Sequence, residues 1–181
     1  MEPLKKRPVF CTVLSLCLCV FIFGGANAGI CQEWSEPAIR LLPDSSFAVV
    51  EVKEGKKIRH CPHHDANGRL DVEQLIYVLG TIDNETWIDP ANKEVARKHL
   101  TRHYDQYMTV AMKKGLHDPV NINRATLTQL VVLPRVGPIL AVKIVAYRNR
   151  IVSFDTIEQI KKVDGIGAAT FNAIKYYISV K

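Results

Sequence analysis

The chain has no HExxH pair, no phosphate-binding P-loop and no serine in a nucleophile elbow. The frameworks of metalloprotease, nucleotide-hydrolysing and serine-esterase chemistry are missing, and a non-enzymatic role is expected. Cysteine is scarce: five in 181 residues, and Cys11, Cys17 and Cys19 fall within the first 28. Cys31 and Cys61 remain, enough for one bridge and too few for a disulfide-rich scaffold. Long apolar runs are absent too. The longest, from Val9 to Phe23, is 15 residues, short of the ~20 that a spanning helix needs.

That run has a different explanation. Lys5, Lys6 and Arg7 precede it, and GGANA follows, with Ala26 and Ala28 spaced as a signal peptidase site prefers. Residues 1–28 read as a secretory signal peptide cleaved after Ala28, with an uncleaved anchor as the alternative. No stable membrane span is expected after cleavage. The location would be periplasmic or extracellular, an oxidising setting in which Cys31 and Cys61 are expected to form a disulfide.

Charge divides the rest. Residues 29–115 carry 12 basic and 13 acidic side chains, whereas residues 116–181 carry nine basic and four acidic, net +5. Positive charge concentrated in a small module suggests a polyanionic partner. The four acids are scattered, which argues against a metal-dependent nuclease.

Sliding this segment by 30 residues superimposes Leu133 on Val163, Val136 on Ile166, Gly137 on Gly167, Ile144 on Ile174 and Tyr147 on Tyr177. One helix–hairpin–helix unit is used twice. The first helices are TLTQLVV (126–132) and TIEQIKK (156–162), each opened by a threonine suited to N-capping. The hairpins are LPRVG (133–137) and VDGIG (163–167). The second helices run from Pro138 to about Arg148 and from Ala168 to about Ile178. Ile139, Ala141, Val142, Ile144 and Val145 would supply the apolar face of the first. A glycine hairpin feeding a helix exposes backbone N–H groups at the positive end of the helix dipole, which suits phosphate.

VNINRATLTQLVVLPRVGPILAVKIVAYR, then Phe154, then VDGIGAATFNAIKYYI resembles the tandem helix-hairpin-helix module of ComEA-type DNA receptors. The resemblance covers residues 119–180. It implies a C-terminal tandem helix-hairpin-helix (SAM-like) domain at 116–181; with the small α+β region that the residues of 29–115 suggest, the expected fold is mainly α. The resemblance further implies sequence-independent binding of double-stranded DNA through its phosphate backbone, for capture or retention during DNA uptake, with other uptake or envelope proteins as further partners. By position the contacts would come from Arg135, Val136, Gly137 and Ile139 in the first unit and Gly165, Ile166, Gly167 and Ala169 in the second. Lys143, Arg148 and Lys175 would add charge, with Arg150, Lys161 and Lys162 nearby. Val136 and Ile166, being apolar, suit pinning the hairpins to the core while flanking amides face phosphate. Two positions depart from the family pattern. Arg135 stands where glycine is usual, and either reaches a phosphate or strains the turn. Ala168 and Ala169 replace the basic residue often found after the second hairpin. The same fold also serves protein docking or a structural role without nucleic acid, which is the alternative reading.

The middle region resembles no family. SFAVVEV (46–52), the KEGKK turn and IRHC (58–61) suggest a β-hairpin. Residues 71–82 and 89–114 suggest helices, capped by Asp71 and by Asp89 with Pro90. All six histidines lie between residues 60 and 117. Cys61 and His64 have C-x-x-H spacing, and His99 and His103 share a helical face, so Cys61, His64, His99 and His103 form a candidate zinc set. It competes with the Cys31–Cys61 disulfide; if the set is real, metal binding is a second alternative function, and otherwise no cofactor is expected. Asp65, Asn67, Gly68 and Asp71 also sit as in part of a calcium loop, but a turn plus a helix cap explains them equally.

Overall fold

A computed structural model describes residues 34–115 and 118–181. The expected signal peptide and Cys31, hence the Cys31–Cys61 bridge, lie outside the described residues. Among the described residues no helix is long and apolar enough to cross a membrane.

The fold is mainly α. A short helix α1 (Glu36–Arg40) leads to an antiparallel hairpin of β1 (Phe47–Lys53) and β2 (Lys56–Pro62), in which Val50 faces Arg59 and Lys53 faces Lys56. Glu54 and Gly55 both have positive φ, 52° and 76°, which matches the right-handed twist of a two-residue hairpin. Helix α2 (Val72–Thr81) begins where Asp71 accepts the Gln74 amide. Helix α3 (Ala91–Lys114) starts one residue after Pro90, and the Asp89 carboxylate accepts the Ala91 amide, the capping role the sequence suggests for it.

The C-terminal third holds α4 (Leu127–Leu130), α5 (Pro138–Ile151), a 3-10 turn (Ile157–Lys162) and α6 (Ala168–Ile174). Thr126 caps α4 in a reciprocal box with Gln129, whereas Thr156 makes no cap hydrogen bond. Helix α6 ends before Ile178, which instead pairs in parallel with Val120: β3 (Val120–Asn121) lies beside β4 (Ile178–Ser179). This pairing ties the two ends of the duplicated segment together.

Both halves of the repeat feed one core. Leu130, Ile144, Ile160 and Ile174 are fully buried, and Leu133, Val136, Val163 and Ile166 nearly so. Ile76 of α2 belongs to the same cluster, with Val72, Tyr77, Tyr104, Tyr107 and Met108 packed on it. The chain changes charge near Gly115, but the packing crosses that point. Glu73 of α2 accepts the Leu127 and Thr128 amides and so caps α4 from the other segment. At Gly80 a Cβ would lie 2.6 Å from Val142 Cγ2 and 2.8 Å from the Pro138 carbonyl oxygen. Only glycine lets α2 and α5 approach this closely.

A second, smaller core (Leu75, Val78, Leu79, Ile82, Ala96, Leu100 and Cys61) lies between the β-hairpin, α2 and α3. Glu51 on β1 is its polar pin. Its carboxylate accepts the Ile88 and Asp89 amides and the Asn92 side chain, each at 2.9–3.0 Å, and pairs with His60. Burial alone would raise the Glu51 pKa, but these hydrogen bonds outweigh it and hold it at about 2 against an ordinary 4.5.

Two outcomes are expected. Gly80→Ala should cost about 1–3 kcal/mol in denaturant unfolding, because backbone rather than a flexible side chain must yield. A depressed carboxylate stabilises the fold above its unfolded pKa and loses that contribution as pH falls through the folded one. Stability should therefore decline as pH drops from about 4.5 to about 2, and Glu51→Gln should flatten part of that decline in acid denaturation curves.

Candidate nucleic-acid interface

The two hairpins are built alike. Each closes on an i→i+3 bond, from the Val136 amide to the Leu133 carbonyl at 3.1 Å and from the Ile166 amide to the Val163 carbonyl at 3.0 Å. Gly137 and Gly167 then stand in extended N-cap conformations, with φ −93° and −86°. The first helical bonds run from Ala141 to Gly137 and from Phe171 to Gly167. Amides ahead of them have no partner within the helix: Gly137, Ile139 and Leu140 at the first junction, Gly167, Ala168, Ala169 and Thr170 at the second.

Val136 and Ile166 leave the expected contact set. Each is 3% exposed and its amide is spent inside the turn. They anchor the hairpins, and the flanking glycines and Ala169 face outward. Ile139 is 45% exposed, on the hairpin side of α5 rather than in the apolar face the sequence suggested; Ala141, Ile144 and Val145 supply that face.

The hairpins lie side by side. Leu140, in the first turn of α5, packs where a Cβ on Gly165 would fall 2.7 Å away. Lys143, one turn on, bridges to Asp164 at 2.6 Å. The start of α5 therefore touches the second hairpin directly, which brings both sets of amides to one end of the module.

Arg135 and Gly165 occupy equivalent positions and share a left-handed backbone, with φ 64° and 89°. The arginine adopts this conformation at a steric cost that glycine avoids. It stays exposed, so strain and reach coexist.

Arg148 is not part of the interface. It is 4% exposed, and its guanidinium donates to the Ile122 and Ala125 carbonyls at 3.2 and 2.8 Å. Burial of a cation requires such partners. A signal existed in the sequence: Ala141, Val145 and Arg148 follow i, i+4, i+7 along one face, the face that is buried. Asn123, to which the sequence pattern assigns no contact, bonds the Phe154 and Val180 carbonyls and the Phe154 amide, and so locks the opening of the first unit to the start and end of the second. Lys175 is half-buried beside Tyr176, Lys161 lies over Phe171, and Lys162 and Arg150 are exposed.

Residues 117–179 match the helix-hairpin-helix motif. Over 62 residues the chain is 52% identical to ComE operon protein 1 of Bacillus subtilis (strain 168), a stretch that covers 34% of this chain and 30% of that protein. The chain thus matches less than a third of that relative's length. No solved structure matches it significantly. The C-terminal third resembles ComEA-type modules.

The middle region corrects the expected metal set. Cys61 is fully buried in the smaller core, and its thiol faces Glu85 Oε1 at 3.9 Å. Burial, and then the Glu85 charge, push that thiol far up, so it is held protonated. His63, which spacing did not single out, lies with His99 and His103: one ring nitrogen from each falls within 4.8 Å of the others. His64 flanks them, its ring 4.2 Å from that of His63 and 5.2 Å from that of His103. Burial is the main cause that lowers the pKa of His63, to about 4, and of His99 and His103; neighbouring histidines add to it. The partial calcium loop is a turn and a cap: Asp65 accepts the Asn67 and Arg69 amides, and Asp71 caps α2.

The asymmetry of the hairpins yields a paired expectation. Arg135→Gly should raise stability by about 1 kcal/mol by relieving a left-handed non-glycine. Gly165→Ala should lower it by about 1–3 kcal/mol through strain and the clash with Leu140. Chemical denaturation of the two variants checks both signs.

Proposed function

We propose that the C-terminal module is a non-enzymatic, sequence-independent clamp on duplex DNA, and that the chain acts outside the cytoplasm in capture or retention of incoming DNA. The observation that carries this reading is the convergence of two glycine-ended hairpins at one end of a +5 segment, in a stretch 52% identical to ComE operon protein 1. Outward main-chain N–H groups on a rigid turn suit phosphate oxygens, which repeat along any duplex whatever its bases. Two such turns, related by the 30-residue repeat, match two phosphate tracks. Charge then comes from exposed Arg135, Lys161 and Lys162 rather than from Arg148.

Asp164 works against this. It is 89% exposed in the second hairpin and holds Lys143. In a clamp of this kind, the ion pair restrains one cation and sets a negative charge beside the phosphate track.

The test is fluorescence anisotropy with unrelated duplexes over a salt series. If about four phosphates are neutralised, log K should fall with a slope of roughly −4 against log salt, equally for all sequences. Gly167→Asp should abolish binding with the fold intact by circular dichroism. Asp164→Asn should tighten binding several-fold at low salt. Salt-insensitive association, or unchanged affinity in Gly167→Asp, would refute the clamp.

A further inference from the structure

The pocket of imidazoles beside β2 is independent of the hairpins. We propose that His63, His99 and His103 together bind one divalent transition-metal ion of the zinc type, clipping the end of the β-hairpin to α3.

The geometry has four parts. First, two donors share one helix and the third directly follows a strand. His99 and His103 are one turn apart on α3, and His63 follows β2 by one residue. Secondly, the buried ligand is oriented. His63 Nδ1 lies 3.0 Å from the Cys61 carbonyl oxygen. A carbonyl only accepts, so Nδ1 carries the proton and Nε2 keeps its lone pair. Such an outer hydrogen bond is how metal-bound histidines are commonly held in one tautomer. Thirdly, that lone pair points into the cluster: His63 Nε2 lies 3.0 Å from His99 Nε2. Zinc–nitrogen bonds of about 2.0–2.1 Å place tetrahedral neighbours roughly 3.3 Å apart, so this pair is already near ligand spacing. The other separations in the set are at most 4.8 Å, so His103 has no more than about 1.5 Å to close to reach ligand spacing. Fourthly, there is an entry path. His63 is fully buried, but His99 and His103 are half-exposed.

Three neutral imidazoles suit zinc, copper, nickel or iron, and exclude calcium and magnesium, which take oxygen. Three protein ligands leave the fourth tetrahedral position to water or to an outside donor. His64 stands next to the set and is not counted in it. Cys61 is excluded by its place in the smaller core.

The experiment uses the intact chain, purified without chelator or affinity tag and titrated with cobalt(II). Saturable uptake of one equivalent is expected, with the visible bands of a tetrahedral or five-coordinate site that zinc(II) erases. Metal that binds only the folded state should also raise the melting temperature. His63→Gln removes a buried ligand and can unfold the chain, so the decisive variants are His99→Gln, His103→Gln and their double. Each single change should weaken cobalt binding at least about tenfold, and the double should abolish it while circular dichroism stays native. His64→Ala should retain the single equivalent. Absence of saturable uptake, wild-type affinity in the double variant, or loss of binding in His64→Ala alone would each overturn the assignment.

Discussion

The close crossing of α2 over the start of α5 is the contact on which the rest of the molecule depends. It exists because Gly80 has no side chain where Val142 and the Pro138 carbonyl come in. It drives Ile76 into the core of the repeat and brings Glu73 to the open end of α4. Helix α4 is only four residues long, far too short to persist by itself. A carboxylate from another segment, satisfying two of its first amides, makes that short helix tenable. The middle region is therefore a buttress for the first hairpin.

The two halves of the repeat share a framework and differ in how they are finished. Equivalent apolar residues meet in one core, and equivalent left-handed positions turn both hairpins. The first unit has a capping box, a 14-residue second helix and an arginine at the strained position. The second has an uncapped 3-10 turn, a seven-residue helix and an acid in its hairpin. The shortening of α6 has a clear cause. Ile178 gives up a helical position to pair with Val120, and that pairing closes the module. A longer helix would leave the Val120 and Ile122 amides, now bonded to Tyr177 and Ser179, without partners.

Local patterns made much of this legible. The 30-residue register, the β-hairpin around Glu54–Gly55, the Asp71 cap and the Thr126 cap depend on neighbours in sequence, and the structure holds all four. What sequence did not show depends on distant partners. Arg148 looked like a phosphate ligand because arginine usually is exposed; its burial follows from carbonyls at Ile122 and Ala125, over 20 residues away. Cys61 looked like a metal ligand through C-x-x-H spacing. In strand β2, however, Cys61 takes a φ of 55° and its thiol turns to Glu85. His63 was hidden for the complementary reason. Nothing in its spacing predicts that α3 will bring His99 to 3.0 Å from it.

Helix α3 joins these separate features. Ala96 and Leu100 pack in the smaller core, and His99 and His103 face His63. From Tyr104 onward, Tyr104, Tyr107 and Met108 lie against the repeat, and the Tyr107 hydroxyl donates to the Thr128 carbonyl at 3.2 Å. One continuous helix of 24 residues thus spans both clusters. A helix held by regular backbone bonds is stiff along its axis, so fixing its first half fixes where its second half stands. Asn92, bonded to Glu51, and Ala96 and Leu100 in the smaller core hold α3 in its first half. In its second half, Tyr107 meets α4. Helix α4, which leads into the first hairpin, is thus held by α2 and α3 as well as by the core of the repeat.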